Sequence, residues 1–207
     1  MQIYDYDKHI FNFAEVISSI LEVNSLGQLH EFSEYDLLTR EKDQSTDWHR
    51  KYYKNFESVR PLYDKFVREY IKPMFGGSEI VYQSIPTFRV QLVGNVGVGA
   101  FHKDRDYNHG TSEVNFWLPF VDVWGNNSVW VESEEDKADY HPVKMSYGQV
   151  LRFDGANLMH GNRLNDTFQT RVSFDFRVVP IEKFKPSSKG SINMNSKFDI
   201  GSYFKKM

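Results

Sequence analysis

The sequence predicts a mainly β fold preceded by a helical third, and three observations carry that prediction. Apolar side chains in the first 78 residues recur at three-to-four spacing, the signature of amphipathic helices. From residue 79 the pattern changes to short alternating runs separated by turn residues, as in antiparallel strands. Aromatic residues make up 16% of a 207-residue chain, which favours strands and large side chains around a pocket. Seven or eight strands at this spacing point to an antiparallel jelly roll, or double-stranded β-helix. The helices are expected on the outer face of one sheet.

Taken in order, YDKHIFNFAEVISSILEVN places Ile10, Phe11, Phe13, Ala14, Ile17, Ile20 and Leu21 on one helical stripe. SLGQLHEF reads as a short second helix, and the charged, aperiodic REKDQSTDW (40–48) as an exposed loop. A longer helix is expected over residues 56–75, with Leu62, Phe66, Tyr70 and Ile71 on one side, ended by Pro73 and Gly76-Gly77. The strand candidates are IVYQSI, FRVQLVG, SEVNFWLPFVDV, SVWVES, HPVKM, QVLRF and TRVSFDFRVV. Between them lie GNVGVG, WGNNS, MSYG, DGAN and LNDT, which carry turn residues. The polar segment after residue 180 reads as a disordered tail or as an arm folded over the barrel. One structural domain is expected, with a helical elaboration (1–78), a catalytic core (79–180) and the C-terminal segment (181–207).

Composition excludes several classes. The net charge of −3 gives no electrostatic reason to expect nucleic acid or an anionic membrane as partner. There is no cysteine, so disulfides, thiolate zinc sites and thiol nucleophiles are absent. The start, MQIYDYDKHI, has no basic-then-apolar leader pattern, and no apolar run approaches the roughly 20 residues of a bilayer span. A cytoplasmic protein is expected.

Chemistry concentrates in GAFHKDRDYNHG, residues 99–110. His102 and Asp104 share parity, so in an extended run both side chains leave the same face. His160 follows in LMHGN, and TRVSFDF then offers Arg171 and Ser173, again with shared parity. Two histidines and one carboxylate on neighbouring strands suit one face of an octahedral ion, the arrangement of non-haem Fe(II) oxygen chemistry. A fixed arginine nearby suits a two-pronged contact with a carboxylate. His109 and His141 read as surface or turn residues, and His9, His30 and His49 as structural or exposed. The acidic run 132–139 reads as an exposed loop, with a rim of the site as its other reading.

The ordered set H-x-D, H, R-x-S, carried on expected strands after helices, resembles the Fe(II)/2-oxoglutarate-dependent oxygenase superfamily over residues 85–180. NFWLPF and GQVLRFDGANLMHGN resemble its small bacterial branch of streptomycin-biosynthesis type. The resemblance implies iron ligands at His102, Asp104 and His160, with Arg171 and Ser173 holding the far carboxylate of 2-oxoglutarate. Asn115 is counted with these cofactor-side residues. It also implies O2 as co-substrate, succinate and CO2 as products, and hydroxylation of the substrate. Related halogenases carry a small residue where this chain has Asp104, which favours hydroxylation here. Desaturation or epimerisation with the same cofactors, and a non-catalytic jelly-roll binding protein, are the alternatives.

Parity extends the site. If Arg171 and Ser173 face inward, so do Asp175 and Arg177, while Val172, Phe174, Phe176 and Val178 face the helices. Asn115 and Trp117 turn inward by the same rule. Either Arg89 and Gln91 or Val90 and Leu92 do so on the preceding strand. The first choice gives a polar, wet cavity, since buried charges must be paired or solvated. A small polar substrate is expected.

Overall fold

The structure, a computed structural model, describes residues 1–32, 44–97, 100–187, 190–191 and 196–207. It is mainly β with few helices. The chain opens with an unexpected strand β1 (Gln2–Asp5), then helix α1 (Phe13–Leu21), which starts later than the periodicity predicts and leaves Ile10 exposed outside it, and a 3-10 segment (Leu26–Phe32). Of the loop expected at 40–48, residues 40–43 lie outside the described residues. Its end is a helix instead, α2 (Asp47–Lys54). The reason is a narrow buried stripe: only His49 and Tyr52 are buried, one turn apart, and charged neighbours mask them in the sequence. The expected long helix is present as α3 (Phe56–Phe66), continued by a π turn (Val67–Ile71) and a 3-10 turn (Lys72–Phe75). It stops at Gly76, whose φ of 64° suits a residue without Cβ.

Among the described residues the strands that follow are, in chain order, β2 (Ile80–Gln83), β3 (Thr87–Gln91), β4 (Val114–Pro119), β5 (Trp130–Val131), β6 (His141–Pro142), β7 (Gln149–Phe153), β8 (His160–Gly161), β9 (Arg171–Pro180) and β10 (Gly190–Ser191). The chain ends in β11 (Ser196–Lys197) and β12 (Phe204–Lys206). The large sheet runs β1-β7-β4-β9-β2-β12, with β3 also paired to β9, and this path is open at its ends. A second sheet runs β6-β5-β8.

Register decides what faces what. On β9, Gln91 lies opposite Arg171, Arg89 opposite Ser173, Trp117 opposite Asp175 and Asn115 opposite Arg177. All eight therefore share one face of the sheet. That selects Arg89 and Gln91, over Val90 and Leu92, as the site-facing pair. The opposite face carries Val172, Phe174, Phe176 and Val178 into the core formed with the helices. There Tyr52 stacks on Phe88 at 4.4 Å, and Tyr63 meets Phe176 edge-on at 5.3 Å. Each fully buried aromatic contributes roughly 1.5–3 kcal/mol over exposure, so this face seats the helices firmly.

A second core lies between the sheets, with Trp117, Leu151 and Phe153 against Val129, Val131, Val143 and Leu158. A third is made by the C-terminal segment: Phe198, Tyr203 and Phe204 are buried with Val81 and Val179. Of the two readings of that segment, the docked arm is the one its described residues take. Among the described residues, no helix is long and apolar enough to cross a membrane.

Candidate metal centre

His102 and His160 are brought together by their own backbones. His102 N donates to His160 O at 2.9 Å and His160 N returns the bond to His102 O at 3.0 Å. Gly161 makes the approach possible, since a Cβ there would sit 2.9 Å from Phe101 Cα. The strand expected through His102 and Asp104 is not formed. After the bridge at His102 the chain turns into a 3-10 segment, Asp104–Tyr107. Asp104 still reaches the histidines because its N–H donates to Gly155 O at 2.9 Å, which holds the turn inward.

Each imidazole donates Nδ1–H to a carbonyl two residues earlier, His102 to Ala100 O at 2.8 Å and His160 to Leu158 O at 2.9 Å. A carbonyl only accepts, so in the neutral ring Nε2 keeps its lone pair. The two Nε2 atoms lie 3.4 Å (His102) and 3.7 Å (His160) from Asp104 Oδ1. At His160 burial pushes the pKa down, against the pull of Asp104. Three electron-rich atoms thus converge, within 4.8 Å of one another. This donor set could hold a metal ion, with each ring oriented by its second nitrogen.

The other carboxylate oxygen is occupied. Asp104 Oδ2 accepts from Asn115 Nδ2 at 2.7 Å and from Arg177 Nη2 and Nε at 2.9 and 3.1 Å. Burial raises the pKa of Asp104, but the Arg177 charge together with His102, His160 and His109 outweighs it and holds the carboxyl well below the usual range. Asn115, expected on the cofactor side, lines the cavity beside the histidines and gives its amide N–H to Asp104. Its path to Oδ2 runs over Gly155, where a Cβ would come within 2.5 Å of its amide nitrogen.

The remaining expected residues divide. Arg171 is buried and donates to Asn162 Oδ1 at 2.7 Å, and Ser173 Oγ is buried with no hydrogen-bond partner among the described residues. Arg89 and Arg177 both pair with Asp175, at 2.7 and 2.8 Å. A cavity of about 60 Å³ joins Arg89, Trp117, Arg171, Asp175 and Arg177 to the histidines. Gln91 is not in its wall, because its amide donates to Arg163 O at 2.7 Å and Asn95 O at 3.2 Å. The expected wet cavity is polar but small, and much of its charge is already paired. His109 stands outside the donor set and pairs with Glu113 at 2.7 Å. Gly155 and Gly161 were not singled out from the sequence. Their only signal is position, each a glycine beside an expected ligand or turn.

No family model matches the chain. The fold is shared with CytC3, solved with Fe(II) and alpha-ketoglutarate. That likeness has a TM-score of 0.53 and 14% identity, covering 87% of this chain and 72% of that one. The sequence relationship is closer still with the streptomycin biosynthesis protein StrG of Streptomyces griseus, 44% identical over 169 residues, 80% of this chain and 79% of that protein. The chain belongs to the StrG family.

Proposed function

We propose that the chain is a non-haem Fe(II)/2-oxoglutarate-dependent oxygenase that hydroxylates a small polar substrate, releasing succinate and CO2. The observation that carries the reading is the convergence of the two imidazole Nε2 atoms and Asp104 Oδ1 within 4.8 Å of one another. Two histidines and a carboxylate with open positions beside them suit Fe(II). In the same reading the two facing sheets are a double-stranded β-helix, and residues 1–78, 79–180 and 181–207 are its helical elaboration, core and arm.

His102, Asp104 and His160 would hold the iron, and Arg171 with the unpartnered Ser173 hydroxyl would hold the far carboxylate of 2-oxoglutarate. Iron, 2-oxoglutarate and O2 together supply an oxidant able to hydroxylate a C–H bond. The chain does the rest. Arg177 and Asn115 occupy Oδ2, so Asp104 presents one oxygen to the metal and leaves positions open. Trp117, Val129 and Phe153 wall the cavity with apolar surface and limit water. The polar groups of that wall, Arg89 above all, favour a polar substrate.

The test is conversion of 2-oxoglutarate to succinate by purified protein with Fe(II) and O2. Slow succinate formation, abolished by Asp104→Ala, is expected. Metal binding without any succinate, with or without candidate substrates, would leave a non-catalytic binding protein.

A further inference from the structure

The acidic run 132–139 is more than an exposed loop, because it is tied to both segments that carry the candidate ligands. At one end Glu132 is 1% exposed and grips Met159, the residue before His160. Its backbone N–H donates to Met159 O at 3.0 Å, and its carboxylate accepts from Met159 N at 2.5 Å. The other carboxylate oxygen accepts from Ala138 N at 3.2 Å, which folds the loop back on itself. Ser133 and Asp139 close the same loop, with Ser133 Oγ 2.6 Å from Asp139 Oδ2.

At its tip the loop meets the other ligand segment. Lys103, between His102 and Asp104, has a side chain only 6% exposed, and its Nζ lies 2.6 Å from Asp136 and 3.1 Å from Glu135. Arg105 adds a contact to Glu135 at 2.8 Å. Tyr140, just past the loop, packs on Phe101 at 4.7 Å. The 100–108 segment has little regular structure of its own, one bridge and one 3-10 turn, so its position depends on such ties.

We propose that the loop 132–139 is a brace that fixes the spacing of the two ligand-bearing segments, with Glu132 and Lys103 as its positioning residues. This rests on the metal-binding reading of the site. The brace acts on the bound ion's residence. The chain can fold without it, but His102 and Asp104 then move relative to His160, and the metal leaves faster.

The experiment is Co(II) binding to the apoprotein, followed by its visible spectrum and by release to a chelator, alongside the thermal midpoint of the apoprotein. The wild type must first bind one Co(II); if it does not, the metal-site reading fails and the brace with it. Given that binding, Lys103→Met and Glu132→Gln are expected to speed release about tenfold, in line with residues that orient ligands. Lys103→Arg is expected to restore most of the residence time. The double variant Glu135→Gln/Asp136→Asn changes only exposed carboxylates, so it tests the brace without risk to the core, and faster release is expected there too. Wild-type release in the double variant and in Lys103→Met would overturn the proposal. So would a fall in apoprotein midpoint with an unaltered Co(II) spectrum and release rate, which marks a purely structural role.

Discussion

At Asp104 an arginine and a carboxylate lie 2.9 Å apart, Arg177 Nη2 on Oδ2, with both side chains nearly excluded from solvent. Arg177 also holds Asp175, which Arg89 holds in turn, so the charges alternate along the row Asp104, Arg177, Asp175, Arg89. Removing one member of such a set leaves a buried charge uncompensated, which costs about 3–5 kcal/mol. Arg177→Met is therefore expected to lower the unfolding free energy by that amount, seen as a lower denaturant midpoint at unchanged m-value, and a midpoint at wild-type level would contradict the network's role. Gly155→Ala tests a different contact. Its φ is not in the left-handed region, so the effect is steric: the new Cβ meets the Asn115 amide and pushes it off Asp104. Metal affinity is expected to fall about tenfold with the fold retained, measured by Co(II) titration. The sequence displayed His102, Asp104, His160 and Arg171 because their order and spacing are themselves the signal. It hid Gly155 and the contact of Asn115 with Asp104, since neither follows from parity; both depend on where a distant turn passes.

Among the elements, β9 was the most legible. Its strict alternation of Arg171, Ser173, Asp175 and Arg177 with Val172, Phe174, Phe176 and Val178 assigns both faces before any coordinates are known. Helix α2 was illegible because two buried residues in eight do not make a visible stripe. The extended reading of 102–104 failed because parity holds only while the chain stays extended, and here it turns after one bridge. Strand β8 has only His160 and Gly161, too short to show a period. The C-terminal arm stands open between two readings in the sequence, since its aromatics are scattered and its partner strand β2 lies far back in the chain, with Phe204 opposite Gln83. The docked state makes a prediction. Phe204 is 1% exposed between Val81 and Phe184, so Phe204→Ala is expected to cost about 3 kcal/mol in urea unfolding. A cost near zero would mean the arm is not part of the folded unit.

For the whole molecule, acid stability carries one traceable contribution. His49 on α2 is buried against Phe88, 5.5 Å between rings, and burial, with Arg89 and Arg50 nearby, pushes its pKa down to about 3. As pH falls below 6.5 the unfolded chain takes up a proton there that the folded chain refuses. Stability attributable to this residue is therefore full above that pH and declines by up to about 1.4 kcal/mol per unit toward pH 3. His49→Gln should flatten that part of the curve of unfolding free energy against pH, whatever its effect on the plateau. Parallel curves for the two proteins would contradict the assignment.

The site is a property of the whole molecule as well, because its donors come from the 100–108 segment and β8 while Arg177 and Arg171 come from β9. The most direct measurement of that assembly is an anaerobic titration of the apoprotein with Fe(II) and 2-oxoglutarate, read by the weak visible absorption of their chelate. A band at one equivalent of each, weakened in Arg171→Ala and absent in His160→Ala, is the predicted result. Absence of any band in the wild type, with no metal-dependent binding of 2-oxoglutarate, would contradict it.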